Sequence, residues 1–124
     1  MSEYSSLKGK TGLKRIINAT GYSLAGFKAA YQHEAAFRQI VLINVILIPV
    51  TFFLDVTRIE QAVLIAVCLL AMIVELFNSA IEAVVDRVSL DKHPLSKNAK
   101  DMGSAAQFVA QTIIVATWLL ILIP

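Results

Sequence analysis

Between Glu75 and Asp86 the sequence reads Glu-Leu-Phe-Asn-Ser-Ala-Ile-Glu-Ala-Val-Val-Asp, an apolar segment that carries acids. At about 100° per residue, Glu75, Asn78, Ser79, Glu82 and Asp86 fall within about 100° of one another on a helix. An ionised side chain at the centre of a bilayer costs at least ~2.5–3.5 kcal/mol, so acids inside an apolar span mark a functional site by default. Such carboxylates can share a proton or ligate a hard divalent cation, and oxygen ligands with retained water suit Mg2+. One of them can also serve as a general base. Helix–helix hydrogen bonding is the plainer reading, but packing alone rarely needs three acids on one stripe.

A second polar constellation opens the last apolar segment. Lys100, Ser104, Gln107 and Gln111 share a helix face, with Asp101 beside it. A lysine near a helix start opposes the helix dipole and implies a partner, either the acidic stripe or an anionic ligand such as phosphate. The alternative is a lysine snorkelling to the interface. Glu34, before Ala35-Ala36-Phe37-Arg38-Gln39, can reach the membrane level of Glu82. Gly9-Lys10-Thr11 imitates the end of a phosphate-binding loop, but Tyr4 replaces its first glycine and no strand precedes it. Cys68, Asn44, His33 and Trp118 read respectively as packing, an interhelical hydrogen bond, an interface residue and an outer interfacial anchor.

These residues need helices to hold them. Of 124 residues 57% are hydrophobic and 16% charged, and the mean hydropathy is +0.70. So short a chain has too much surface to hide that excess in one soluble core. Disorder is excluded by the apolar fraction, a disulfide scaffold by the single cysteine, and a nucleic-acid binder by a net charge of only +2. An integral membrane protein remains, a single domain over 1–124. Spans are expected over about 35–54, 62–85 and 102–123. Pro49 should kink the first span. The polar segment Met1–Gly12 carries no cleavable signal peptide.

Leu13, Ile16, Ile17, Leu24, Phe27 and Tyr31 form a helical stripe broken only by Thr20, over about 12–33. It reads equally as a surface helix in the interface plane or as a helix packed on the bundle, with a break at Gly21 and Gly26. Lys92–Asn98 is the most loop-like stretch, with Ser96 a candidate cap for the next helix. Cations crowd the N-terminal segment (Lys8, Lys10, Lys14, Arg15, Lys28, Arg38) and the second connection (Arg87, Lys92, Lys97, Lys100), against Arg58 alone in the first. The positive-inside rule puts the N-terminus and second connection in the cytoplasm, and the C-terminus outside.

Glu75-x-x-Asn78-Ser79-Ala80-Ile81-Glu82-x-x-x-Asp86, followed by Ala99-Lys100-Asp101-Met102-Gly103-Ser104-Ala105-Ala106, closely resembles the small prokaryotic integral-membrane diacylglycerol kinases. Ile16-Ile17-x-Ala19-x-Gly21-Tyr22-Ser23 and Glu34-Ala35-Ala36-Phe37-Arg38-Gln39 match as well. The resemblance runs from Gly12 over nearly the whole chain. It implies an all-α membrane protein: a homotrimer of three-span protomers, each with an N-terminal amphipathic surface helix, in the bacterial inner membrane, with active sites shared between protomers. It implies transfer of the ATP γ-phosphoryl group to diacylglycerol, giving phosphatidate for phospholipid recycling and biosynthesis, with Mg2+ as cofactor.

Glu75 matches the catalytic base of that family, and Glu34 and Glu82 its magnesium ligands. Arg15, Tyr22, Glu34, Glu82, Asp91, Lys92, His93, Lys100 and Asp101 match positions that contact ATP. Arg15, Ala19, Ser23, Ala36, Arg38, Gln39, Glu75, Asn78 and Ser104 match the side that meets the lipid. Ile40 and Leu24 depart from a frequent Glu and Trp, outside the catalytic stripe. A sister branch phosphorylates undecaprenol. Ser79 and Met102-Gly103-Ser104 favour the diacylglycerol branch. The rival of another class is a small oligomeric cation or proton channel with the acids lining its pore, which has no use for Lys100.

Overall fold

The computed structural model describes residues 12–124, so the polar opening segment and Gly9-Lys10-Thr11 lie outside the described residues. The helices are α1 (Gly12–His33), α2 (Ala35–Val50), α3 (Arg58–Val88) and α4 (Pro94–Leu122), with a 3-10 turn at Thr51–Phe53 after α2. There is no strand among the described residues. Three segments, Ala35–Phe53, Arg58–Val88 and Pro94–Leu122, are long and apolar enough to cross a membrane.

α1 runs unbroken through Gly21 and Gly26, contrary to the break expected there. A single glycine costs a helix interior only about 1 kcal/mol, less than abandoning the turns on either side. The hydroxyls of Thr20 and Ser23 donate to the carbonyls of Ile16 and Ala19, both at 3.0 Å, and so are satisfied inside the helix. The chain breaks at Glu34 instead, whose backbone is extended at φ −121°. Arg38 secures that corner, its Nη1 donating to the carbonyls of Tyr31 at 2.7 Å and Gln32 at 3.4 Å. These are end carbonyls that α1 cannot satisfy itself. Phe27 and Phe37 pack across the same corner, ring centroids 6.5 Å apart. The rest of the α1 stripe, Leu13 to Leu24, stays exposed in the protomer.

Pro49 falls in the last turn of α2, just before the helix tightens into the 3-10 turn Thr51–Phe53, so the proline lies near the end of the span and not at its middle. Thr57 and Glu60 form a reciprocal capping box that starts α3. At 31 residues α3 is about 46 Å long and exceeds the ~30 Å hydrocarbon core, so its polar end emerges from it. The second connection shrinks to Ser89–His93, because α4 already begins at Pro94. His93, not Ser96, caps it: its Nδ1 accepts from the Leu95 N–H at 3.1 Å. Proline at the first helical position, where no N–H is needed, sets that start.

α3 packs most extensively on α4, then on α2. Ile40, Val67, Ala71, Ala110 and Ile114 form the core, and the small Ala71 and Ala110 let the backbones approach. Asn44 donates to the Cys68 carbonyl across α2 and α3 at 3.1 Å, while Cys68 itself is buried in packing. Trp118 differs from the interfacial anchor expected of it. It packs against this core with its indole nitrogen buried, because its face of α4 turns towards α3.

Candidate active site

Glu75 is only 2% exposed, in the middle of α3. Its Oε2 accepts a 2.8 Å hydrogen bond from Gln107 Nε2 on α4, and Gln107 also donates to the Ala71 carbonyl at 3.2 Å. Seven residues on, about 10 Å along the helix, Glu82 is half-buried with Glu34, Glu75, Asp86 and Lys100 as charged neighbours. The acidic stripe is therefore a ladder from the buried middle of α3 to its polar end. Asn78 lies one rung from Glu75, pressed against α4 at Gly103, where a Cβ would collide with Asn78 Oδ1. The Asn78 Oδ1 and Ser79 Oγ atoms are buried without partners among the described residues.

At the top of the ladder a cleft of about 700 Å³ lies between the ends of α3 and α4. It brings together Asp91, Lys92, His93, Lys100 and Asp101 from the expected nucleotide set, and adds Asp86, Ser89 and Lys97. Ser89 Oγ accepts from the Asp91 N–H at 3.0 Å and shapes the turn. Lys100 Nζ pairs with Asp86 at 2.8 Å, and Lys97 with Asp101 at 2.6 Å. The acidic stripe thus supplies the partner that the lysine at the start of α4 demands. Both pairs are exposed to solvent, which screens them. Small-molecule clefts commonly enclose roughly 300–1,000 Å³, and this one, open to solvent, is of that size.

The other expected positions are dispersed within one protomer. Arg15, Ala19, Tyr22 and Ser23 lie on the exposed part of α1 and do not line the cleft. Ala36 and Gln39 are exposed on α2, and Ser104 on α4. Arg38 is engaged with the carbonyls at the end of α1. Glu34 stands at the α1–α2 corner, partly buried and outside the cleft lining, but near enough to Glu82 for their charges to interact.

Residues 21–122 match the family model for prokaryotic diacylglycerol kinase. That stretch is most of the chain and contains the whole acidic ladder. The chain belongs to the prokaryotic diacylglycerol kinase family. A diacylglycerol kinase of Pseudomonas aeruginosa is 75% identical over 119 residues, 96% of this chain and 97% of that one. One of Escherichia coli K12 is 49% identical over 112 residues (90% and 92%), and one of Helicobacter pylori 26695 is 41% identical over 118 residues (95% and 92%). For this member of the diacylglycerol kinase family, Arg15 and Ala19 fall before the matched stretch and every other expected site residue falls inside it.

The Asn78–Gly103 contact carries its own prediction. Gly103→Ala forces either Asn78 or α4 to move, and overpacking of this kind costs about 1–3 kcal/mol. Thermal unfolding in detergent micelles should show a lowered Tm together with reduced turnover. An unchanged Tm and full activity would mean that the two helices do not need this approach.

Proposed function

We propose that the protein transfers the γ-phosphoryl group of ATP to the free hydroxyl of diacylglycerol, giving phosphatidate and ADP, and does so as a homotrimer in the bacterial inner membrane. The observation that carries this reading is the ladder of acids from buried Glu75 to a cleft at the polar end of α3 and α4 where Lys92, Lys97 and Lys100 stand among Asp86, Asp91 and Asp101. It offers a lipid-side carboxylate and a water-side phosphate site on one helix. The names of the relatives support diacylglycerol over undecaprenol as acceptor.

Phosphoryl transfer asks for positioning, charge neutralisation and a group to take the hydroxyl proton. Lys92 and His93 line the cleft that takes the nucleoside end of ATP, and its phosphates run from Lys100 past Glu82 towards Glu75. The acceptor hydroxyl reaches Glu75 from the bilayer, its oxygen attacks the γ-phosphorus, and its proton passes to the Glu75 carboxylate as the bond to ADP breaks. Glu34 and Glu82 fit Mg2+ by donor chemistry. That ion is commonly held by one or two carboxylates together with substrate phosphates and water, and no cluster of three or more acidic, His or Cys ligands occurs among the described residues. Magnesium, when bound, neutralises charge on the β- and γ-phosphates.

A trimer accounts for the dispersed residues. Arg15 and Tyr22 on an exposed α1 complete a neighbour's cleft, and much of the apolar surface of the spans is left for neighbouring protomers and lipid. The N-terminus and the α3–α4 connection face the cytoplasm, where ATP is. Single cysteines at Asn98 and Asp55, both exposed, should be labelled by an impermeant maleimide from the cytoplasmic and the outer side respectively. The reverse pattern would put the acids on the wrong side for ATP.

The activity itself is tested by ADP release in mixed micelles containing diacylglycerol, undecaprenol or neither. ADP release should depend on diacylglycerol. Preference for undecaprenol would move the protein to the sister branch, and cation flux without nucleotide would favour a channel.

A further inference from the structure

The amides of α4 are not used by the chemistry above, yet they tie α4 to the buried carboxylate of α3. Gln107 Nε2 donates to Glu75 Oε2 at 2.8 Å and to the Ala71 carbonyl at 3.2 Å, while its Oε1 accepts from Gln111 Nε2 at 3.0 Å. This network allows only one amide orientation. Flipping Gln107 would set its oxygen against a carbonyl and a carboxylate, both acceptors, and its NH2 against the NH2 of Gln111. Gln107 is the hydrogen-bond partner of the Glu75 side chain among the described residues, and Oε1 of Glu75 has none.

We propose that Gln107 is a positioning residue for the phosphoryl-transfer reaction: it pins Oε2 of Glu75 so that Oε1 faces the acceptor hydroxyl, with Gln111 holding Gln107 in turn. The inference rests on the reading of Glu75 as the proton acceptor. A carboxylate in a helix interior has several rotamers, and a charge-assisted hydrogen bond is the stronger kind that can select one. An acceptor misplaced by about 1 Å costs up to roughly 10²-fold in rate. A mere tie between α3 and α4 would affect stability and leave the chemical step alone.

The test uses the full-length protein in mixed micelles. Gln107→Met keeps approximate length and volume and removes both donors. Its kcat should fall about 10- to 100-fold, while KM for ATP and for diacylglycerol stays within about twofold, since neither substrate touches Gln107. In a Glu75→Gln background the same substitution should cost nothing further, because the two residues act as one unit. A fall of equal size in both backgrounds, or a changed KM with intact kcat, would overturn the proposal in favour of a structural tie. Near-normal turnover of Glu75→Gln alone would instead defeat the reading of Glu75 as base. Should Gln107→Met not assemble, Gln111→Met decides: it keeps Gln107 but frees its oxygen, and kcat should fall about threefold or more at unchanged KM. Unaltered kcat there would overturn the proposal.

Discussion

Glu75→Gln is expected to assemble normally, bind ATP with unchanged affinity and lose about 10²- to 10⁴-fold in kcat, the usual range for removing a general base. The substitution is isosteric, and Gln107 can still find an acceptor at the new amide oxygen, so the packing of α3 on α4 is kept. What is lost is the ability to take a proton. ATP binding is spared because the cleft that takes most of the nucleotide lies near Asp86 and Lys100, about 16 Å along α3 from Glu75, and only the γ-phosphoryl end approaches Glu75. Glu75→Asp should retain part of the activity, its carboxylate withdrawn by one methylene. A titration of ATP binding beside the kcat measurement separates the two effects. Turnover near the wild-type value would leave the hydroxyl proton without an acceptor in this scheme.

The second large effect concerns magnesium. Glu82→Gln should abolish turnover, because Glu82 stands between the base and the cleft and is the acid best placed to carry the nucleotide's metal. Glu34→Gln should leave activity that appears only at higher magnesium. Loss even of a residue that orients a metal ligand commonly costs 10- to 100-fold in metal affinity, so the rise in magnesium requirement should be at least about tenfold. Turnover measured against magnesium at fixed ATP decides this. Curves superimposable on wild type for both variants would remove the two carboxylates from the metal site.

Much of this arrangement could be read from residue types alone. Charge cost in a bilayer singles out Glu75 and Glu82, and the uncharged run after Met102 announces a span wherever its neighbours lie. Asn44 and Lys100 are similarly legible, since each needs a partner and each finds one on α3. Other features depend on which of two local solutions tertiary contacts favour. α1 persists through two glycines because its end is fixed at Glu34 by Arg38, seven residues beyond Tyr31 in sequence. Ser96 and His93 both have capping chemistry, and Pro94 decides between them by setting where α4 starts. Trp118 is suited to either an interface or a core, and only the packing of α4 on α3 assigns it. Gln107 falls on the face of Lys100 in the sequence, but its link to Glu75 requires the register of two helices 32 residues apart along the chain. Tyr22 and Arg15 stand exposed on α1, away from the cleft, and no contact within the protomer marks them.

A lipid hydroxyl, not water, is expected to accept the γ-phosphoryl group of ATP. ATP carrying ¹⁸O on every oxygen of its γ-phosphoryl group, including the bridge to the β-phosphorus, tests it in one experiment. The protein in mixed micelles with diacylglycerol and magnesium should yield phosphatidate bearing the labelled non-bridging oxygens, with the bridging label left on ADP and the ester oxygen supplied unlabelled by the lipid. Labelled inorganic phosphate with no labelled phosphatidate would show that water, not diacylglycerol, is the acceptor, and would contradict this expectation.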